Sequence, residues 1–315
     1  MPSSQRFALI TGAGSGLGRA LALRLARDGW HVGLADRDLD AAGETKALLG
    51  DASGSGEPLP LDVNEVVAWQ RIDAHIGARW PALDLLVNNA GVCASGEVGA
   101  TPVADWDWVL GTNLRGVMLG CHTLVDRLKA NPRRSHLLNV SSLAGLLAAP
   151  RMSAYCASKA AVVALSETLY IELRPHNVGV SVICPWFIQT NLLESGRFER
   201  PSHREFAASK MKSARTTPER FADLAVRGVF RNKFLITVGW KSSLAVQFKS
   251  TFRQTYLNLA ARLAARDAAV ESEPGPPVSE QATDLKPAPD VAPTTAPEPA
   301  ASATPRPPAC GDEAA

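Results

Sequence analysis

Tyr155 and Lys159 stand four residues apart at the start of an alanine-rich stretch, Ser153-Ala154-Tyr155-Cys156-Ala157-Ser158-Lys159. On a helix that spacing stacks both side chains on one face. A phenol is a poor base at neutral pH, its ordinary pKa being about 10. A cation beside it favours the phenolate, so Lys159 is expected to lower the pKa of Tyr155 and make it a working acid/base. Ser142, on the loop before this helix, offers a hydroxyl that can hydrogen-bond the same substrate oxygen. Moving a proton on or off an oxygen is the expected chemistry.

A second cluster, Thr11-Gly12-Ala13-Gly14-Ser15-Gly16-Leu17-Gly18, falls between a strand-like run and a helical one. There Gly12, Ser15, Gly16, Leu17 and Gly18 would turn backbone amides and the positive end of a helix toward a dinucleotide's pyrophosphate. Glycine turns are common, and it is the strand–turn–helix setting that gives this one weight. Asp36 closes the next strand, eighteen residues past Gly18. An acidic side chain there would hold the adenosine ribose hydroxyls; the plainer alternative is that it merely ends the strand. Its charge would repel the 2′-phosphate of NADP, which favours NAD. Arg37 beside it works the other way and keeps NADP open.

These groups need a scaffold, and the hydrophobic pattern supplies one. Apolar runs at Arg6 to Thr11, His31 to Asp36, Leu59 to Val63, Leu83 to Val87, His136 to Val140 and Val178 to Cys184 read as strands. Between them lie helical patterns at Leu17 to Arg27, Leu39 to Leu49, Val66 to Ile76, a long one from Thr101-Pro102 and another at Ala154 to Leu173. Thr101 can cap the long helix and Pro102 suits its first turn. Such alternation predicts right-handed βαβ units: an α/β fold of three layers, αβα, around a doubly wound parallel sheet. Strands with little polar alternation fit a sheet buried on both faces.

After Pro185 the rhythm breaks. Residues 186–216 look irregular and charged, Pro218 to Phe230 helical, and Phe234 to Val238 a last strand. The expected organisation is a catalytic domain over 1–240 with a substrate lobe at about 186–232, a basic helix at 241–267, and a proline- and alanine-rich tail at 268–315. The tail holds half of the 22 prolines and almost no large apolar residue, so disorder is expected there. The formal net charge of +2 conceals fifteen basic against four acidic residues in 197–266, and eight acidic against two basic from 269 onward. The five cysteines are scattered without a Cys-x-x-Cys pair, which argues against disulfides and a metal site and fits a reducing, cytoplasmic setting. No signal peptide is expected before the first strand, nor any apolar run of about 18 residues that would span a membrane.

Four features together, the Thr11–Gly18 turn, Asn88-Asn89-Ala90-Gly91, Ser142 and Tyr155-x-x-x-Lys159, resemble the short-chain dehydrogenase/reductase superfamily over about Arg6 to Val238. The resemblance implies a Rossmann fold and hydride transfer between NAD(P) and an alcohol or carbonyl. It implies that Tyr155 exchanges the proton, that Lys159 binds the nicotinamide ribose, and that Ser142 polarises the substrate oxygen. Asn113, within the long helix, would hold a water in the proton relay. Asp62 and Val63 would flank the adenine, Asn89, Ala90 and Gly91 the adenosine side, and Pro185 and Thr190 the carboxamide. A homo-oligomer is implied as well. Where the family usually has glycine after that proline, this chain has Trp186, which either walls a substrate pocket or packs outward.

Trp186, Phe187, Leu192, Phe198 and Phe206 suggest a lipophilic alcohol, ketone or aldehyde. The interspersed Arg197, Arg200 and Arg204 either meet an anionic group on it or are solvated loop residues. The 241–267 helix suits peripheral contact with an anionic membrane or packing on another subunit. Nucleic-acid binding lacks an aromatic stacking pattern. The rival readings are a nicotinamide-binding sensor without turnover, and a reductase of acyl thioesters.

Overall fold

The computed structural model describes residues 5–50, 54–188, 191–214 and 216–271. The tail beyond 271, Thr190 and Cys310 therefore lie outside the described residues, as do the first four positions.

In chain order the elements are β1 (Phe7–Thr11), α1 (Gly16–Arg27), β2 (His31–Asp36), α2 (Leu39–Leu49), β3 (Ser55–Pro60), α3 (Val66–Arg79), β4 (Leu85–Asn88) and a two-residue β5 (Ala94–Ser95). There follow α4 (Val103–Leu110), one π-helical turn (Gly111–Arg115), α5 (Gly116–Lys129), β6 (Ser135–Val140), α6 (Leu143–Leu146), α7 (Ser153–Leu173) and β7 (Val178–Cys184). The last elements are β8 (Arg197–Phe198), α8 (Pro201–Lys212), α9 (Pro218–Phe230), β9 (Leu235–Thr237), α10 (Trp240–Thr251) and α11 (Arg253–Glu271).

Seven strands form one parallel sheet in the order β3-β2-β1-β4-β6-β7-β9. Strand alternation sorts the side chains of β1 into the two covering layers. Ala8 and Ile10 pack with Leu21 and Leu25 of α1 and Phe221 of α9. Phe7 and Leu9 pack with Trp69 of α3, Leu124 of α5 and Val162 of α7. The three-layer, doubly wound Rossmann architecture is thus the one the pattern predicts. The strand order reverses at β1, between β2 and β4, which opens a crevice at the strands' C-terminal ends.

Local corrections have physical reasons. The third strand is Ser55–Pro60 rather than Leu59 to Val63, because β3 is an edge strand. An edge tolerates polar residues and prolines that no central strand could hold. The long fourth helix is broken by the π turn into α4 and α5, and Pro102 rather than Thr101 is its N-cap residue. Thr101 instead donates its hydroxyl to the Glu97 carbonyl. Residues 186–216 are not wholly irregular: β8 pairs with β5, and α8 follows. The basic helix is two helices, interrupted at Phe252.

Candidate active site

The glycine turn sits where β1 meets α1. Gly12 and Gly16 have φ of 64° and 51°, a left-handed conformation that disfavours a side chain. Gly18 lies so close to the turn that a Cβ there would overlap the Gly12 carbonyl. Thr11 ties this turn to the neighbouring strand end: its hydroxyl accepts from the amides of Asn89 (2.9 Å) and Ala90 (3.0 Å). The Asn89 side chain returns hydrogen bonds to the carbonyls of Thr11 and Gly12. Thr11 was not among the expected site residues, although it begins the motif; a hydroxyl at that point was the available signal.

Asp36 closes β2 as expected. Its carboxylate accepts from the amides of Gly14 (2.8 Å) and Asp38 (3.0 Å), so it is fastened to the turn. Arg37 is exposed. Arg19 lies nearer the turn, donating to the Gly14 carbonyl and the Thr45 hydroxyl and pairing with Glu44 at 2.9 Å. Asp62 is exposed one residue past Leu61, whose amide bonds the Asp36 carbonyl; Asp62 itself accepts from Asn64. Val63 is buried beside Gly116.

On the other flank of the crevice, α7 brings Tyr155 and Lys159 to one face, both buried. The Lys159 ammonium donates to the Val140 carbonyl (3.0 Å) and lies 5.8 Å from the centre of the Tyr155 ring. It lies close to Gly91, where a Cβ would come within 3.3 Å of Nζ and 3.2 Å of the Asn113 Oδ1. Asn113 is wholly buried in the π turn. Its side chain accepts from the Val92 amide (2.8 Å) and donates to the Val92 carbonyl (2.9 Å) and Ser158 (3.2 Å). π turns of this kind recur at functional positions.

Ser142 caps the short α6, accepting from the Ala144 amide (3.1 Å), and is hydrogen-bonded to Tyr155. The neighbouring Ser141 donates to the Lys159 carbonyl at 2.7 Å. Gly145 lets α6 lie directly on that backbone, since a Cβ would stand 2.6 Å from the Lys159 carbonyl carbon. Pro185 anchors the same loop through its carbonyl, which accepts from the Leu143 amide (2.8 Å).

The electrostatics differ from the sequence expectation. Burial pushes the Tyr155 phenol above its ordinary value, with the Ser142 hydrogen bond pulling the other way. Burial also pushes Lys159 down, to about 8. Low polarity around both groups disfavours their charged forms, which keeps the phenol protonated.

Trp186 is 54 % exposed and meets the Phe187 ring edge-on, so it faces outward. Arg197 does not await an anion: it pairs with Asp105 (2.6 Å) and lies 4.2 Å from the centre of the Trp108 ring. Arg200 pairs with Glu199. Among the described residues no cluster of His, Cys, Asp and Glu could hold a metal ion, and no helix is long and apolar enough to cross a membrane.

The sequence profile of the short chain dehydrogenase family matches residues 6–200. The chain belongs to the short-chain dehydrogenase family. A probable oxidoreductase of Mycobacterium tuberculosis is 35 % identical over 71 % of this chain, which spans only 39 % of that relative's length. A 3β-hydroxysteroid dehydrogenase of Mediterraneibacter gnavus is 34 % identical over 60 % of this chain and 68 % of its own. Among solved structures, a short-chain dehydrogenase/reductase of Burkholderia phymatum in complex with NAD has a TM-score of 0.72 at 30 % identity, covering 88 % of this chain and 98 % of its own.

Proposed function

We propose that the chain is an NAD-dependent oxidoreductase interconverting a lipophilic alcohol and its ketone or aldehyde. The observation that carries this is the set of buried Tyr155, Lys159 and Asn113 with half-buried Ser142, joined to the glycine turn through the Asn89–Gly91 segment. The chain fits a dinucleotide at that turn. Ser15 stands at the N-cap of α1 with no side-chain capping bond, and no acidic residue lies in the first helical turn. Backbone amides and the helix dipole there favour an anion.

Gly12, Ser15, Gly16, Leu17 and Gly18 would hold the diphosphate, and Asp36 the adenosine ribose. Asp62 and Val63 would flank the adenine, Asn89 to Gly91 the adenosine side, Lys159 the nicotinamide ribose, and Pro185 the carboxamide, with Thr190 beside it. A bound nicotinamide supplies the site with a hydride donor or acceptor. The fixed carboxylate of Asp36 disfavours a 2′-phosphate, and Arg19 is already neutralised by Glu44, so NAD is preferred over NADP.

Tyr155 gives a proton to the substrate oxygen in reduction and takes it back in oxidation. A neutral, buried phenol is ready to donate; Lys159, when charged, steadies the phenolate left behind. Ser142 donates a hydrogen bond to the same oxygen and fixes its position. Asn113 holds a water in the proton relay that serves Lys159. The apolar residues Trp186 and Phe187 supply a lipophilic flank, and the relative named for a hydroxysteroid supports that class.

The test is nicotinamide absorbance during turnover, with NAD and NADP in parallel, over medium and long alcohols, ketones, aldehydes and steroids. Turnover with NAD is expected, falling by about a thousandfold or more in Tyr155→Phe while NADH binding persists. Equal rates in Tyr155→Phe would sink the proton role. Preference for NADP would overturn the reading of Asp36.

A further inference from the structure

We infer that α10 and α11 form a docking face for an anionic lipid surface, on which the protein lies without crossing it. The helix α10 is amphipathic in the unexpected sense. Its inward side carries Ala245, Val246 and Lys249. Val246 packs on Leu143, Val163, Val182 and Cys184, and Lys249 donates to the Leu146 carbonyl at 2.5 Å. Its larger apolar side chains point away from the protein. Trp240, Leu244, Phe248 and, at the break, Phe252 succeed one another at four-residue steps, which keeps them along one side. They are 72 %, 59 %, 36 % and 56 % exposed. Leu259 and Leu263 extend the apolar surface along α11. Isolated exposed apolar residues are ordinary, but a contiguous aromatic stripe marks an interaction surface.

Charge identifies the occupant. Over α10 and α11 the chain has five basic residues, Lys241, Lys249, Arg253, Arg262 and Arg266, against two acidic ones, Asp267 and Glu271, both at the far end of α11. Lys241 and Arg253 on α10 and α11 are exposed. A second copy placed face to face would set like charges together, whereas anionic headgroups complement them. The chain's own acidic segment beyond residue 271 is an alternative counter-charge. Its only large apolar residues are Val278, Leu285 and Val291, too few to cover a row of aromatic rings. Tryptophan and phenylalanine at the level of the headgroups, with lysine and arginine beside them, suit an interfacial helix. This inference does not depend on the oxidoreductase reading.

The experiment is flotation of the full chain with vesicles of phosphatidylcholine alone, or of phosphatidylcholine mixed with phosphatidylglycerol. Binding to the mixed vesicles that weakens with salt is expected, with little to the neutral ones. The variant Trp240→Ser/Leu244→Ser/Phe248→Ser should bind more than about tenfold more weakly, with unchanged circular dichroism. Should that variant fail to fold, Lys241→Glu/Arg253→Glu should abolish binding to the mixed vesicles through charge alone. No binding of the full chain, or binding that neither variant alters, would overturn the inference. So would a serine variant whose mass on gel filtration falls from a multimer to a single chain, since the stripe would then be covered by a second copy.

Discussion

Asn113 shows how a small polar side chain holds a site together. Its side-chain oxygen accepts from the amide of Val92, in the loop between β4 and β5, and its NH2 donates to the Val92 carbonyl and to Ser158 of α7. Truncating it leaves the buried amide and carbonyl of Val92 without partners, each a cost of about 1–3 kcal/mol. Asn113→Ala is therefore expected to lower stability in urea by about 2 kcal/mol and to lower kcat as well. A variant with full activity and full stability would show that this side chain positions nothing. That Tyr155, Lys159 and Ser142 come together was legible in the sequence, because residue type and a four-residue spacing on a helix suggest it. Their pKa directions were not, because burial is a property of the folded chain and desolvation is the largest influence on both Tyr155 and Lys159.

Among the elements, α3 is the one on which the Asp62–Val63 segment leans. Trp69 is wholly buried in it and donates its indole N–H to the Val63 carbonyl at 3.0 Å. Removing the ring takes away both a large apolar volume and the anchor of the segment carrying Asp62. Trp69→Ala is expected to cost about 3–5 kcal/mol, measured by denaturant unfolding, and to weaken NADH binding beyond what the remaining folded fraction explains. Binding unchanged per folded molecule would mean that Val63 needs no such anchor. The strands and helices that carry these residues were readable where both sheet faces are covered, as in His31–Asp36 and Val178–Cys184. They were misread where a different principle ruled. At Ser55–Pro60 an edge excuses polar residues, at Gly111–Arg115 one extra residue per turn leaves no hydrophobic signature, and at Phe252 the helix breaks without proline or glycine.

For the whole molecule, pH acts also through a histidine in the body of the sheet. His136 is buried on β6 with its Nε2 against the Ser181 hydroxyl at 2.8 Å, and burial, helped by Arg134, pushes its pKa down to about 3. The folded pKa is below the ordinary value of 6.5, so this group's stabilising contribution is present above about 6.5 and is lost as pH falls toward 3. The unfolded chain binds the proton first. The melting temperature should fall over that window more steeply in the wild type than in His136→Gln; parallel curves would refute the assignment. Sheet order also has a consequence in time. Phe7 donates its amide to Asp84, 77 residues later in the chain, and β1 receives its second neighbour only from the strand that follows Asp84. On the ribosome, this wholly buried strand therefore waits with one flank of amides and carbonyls bare until β4 emerges. That interval is when a nascent chain is most exposed to wrong partners and gains most from a chaperone.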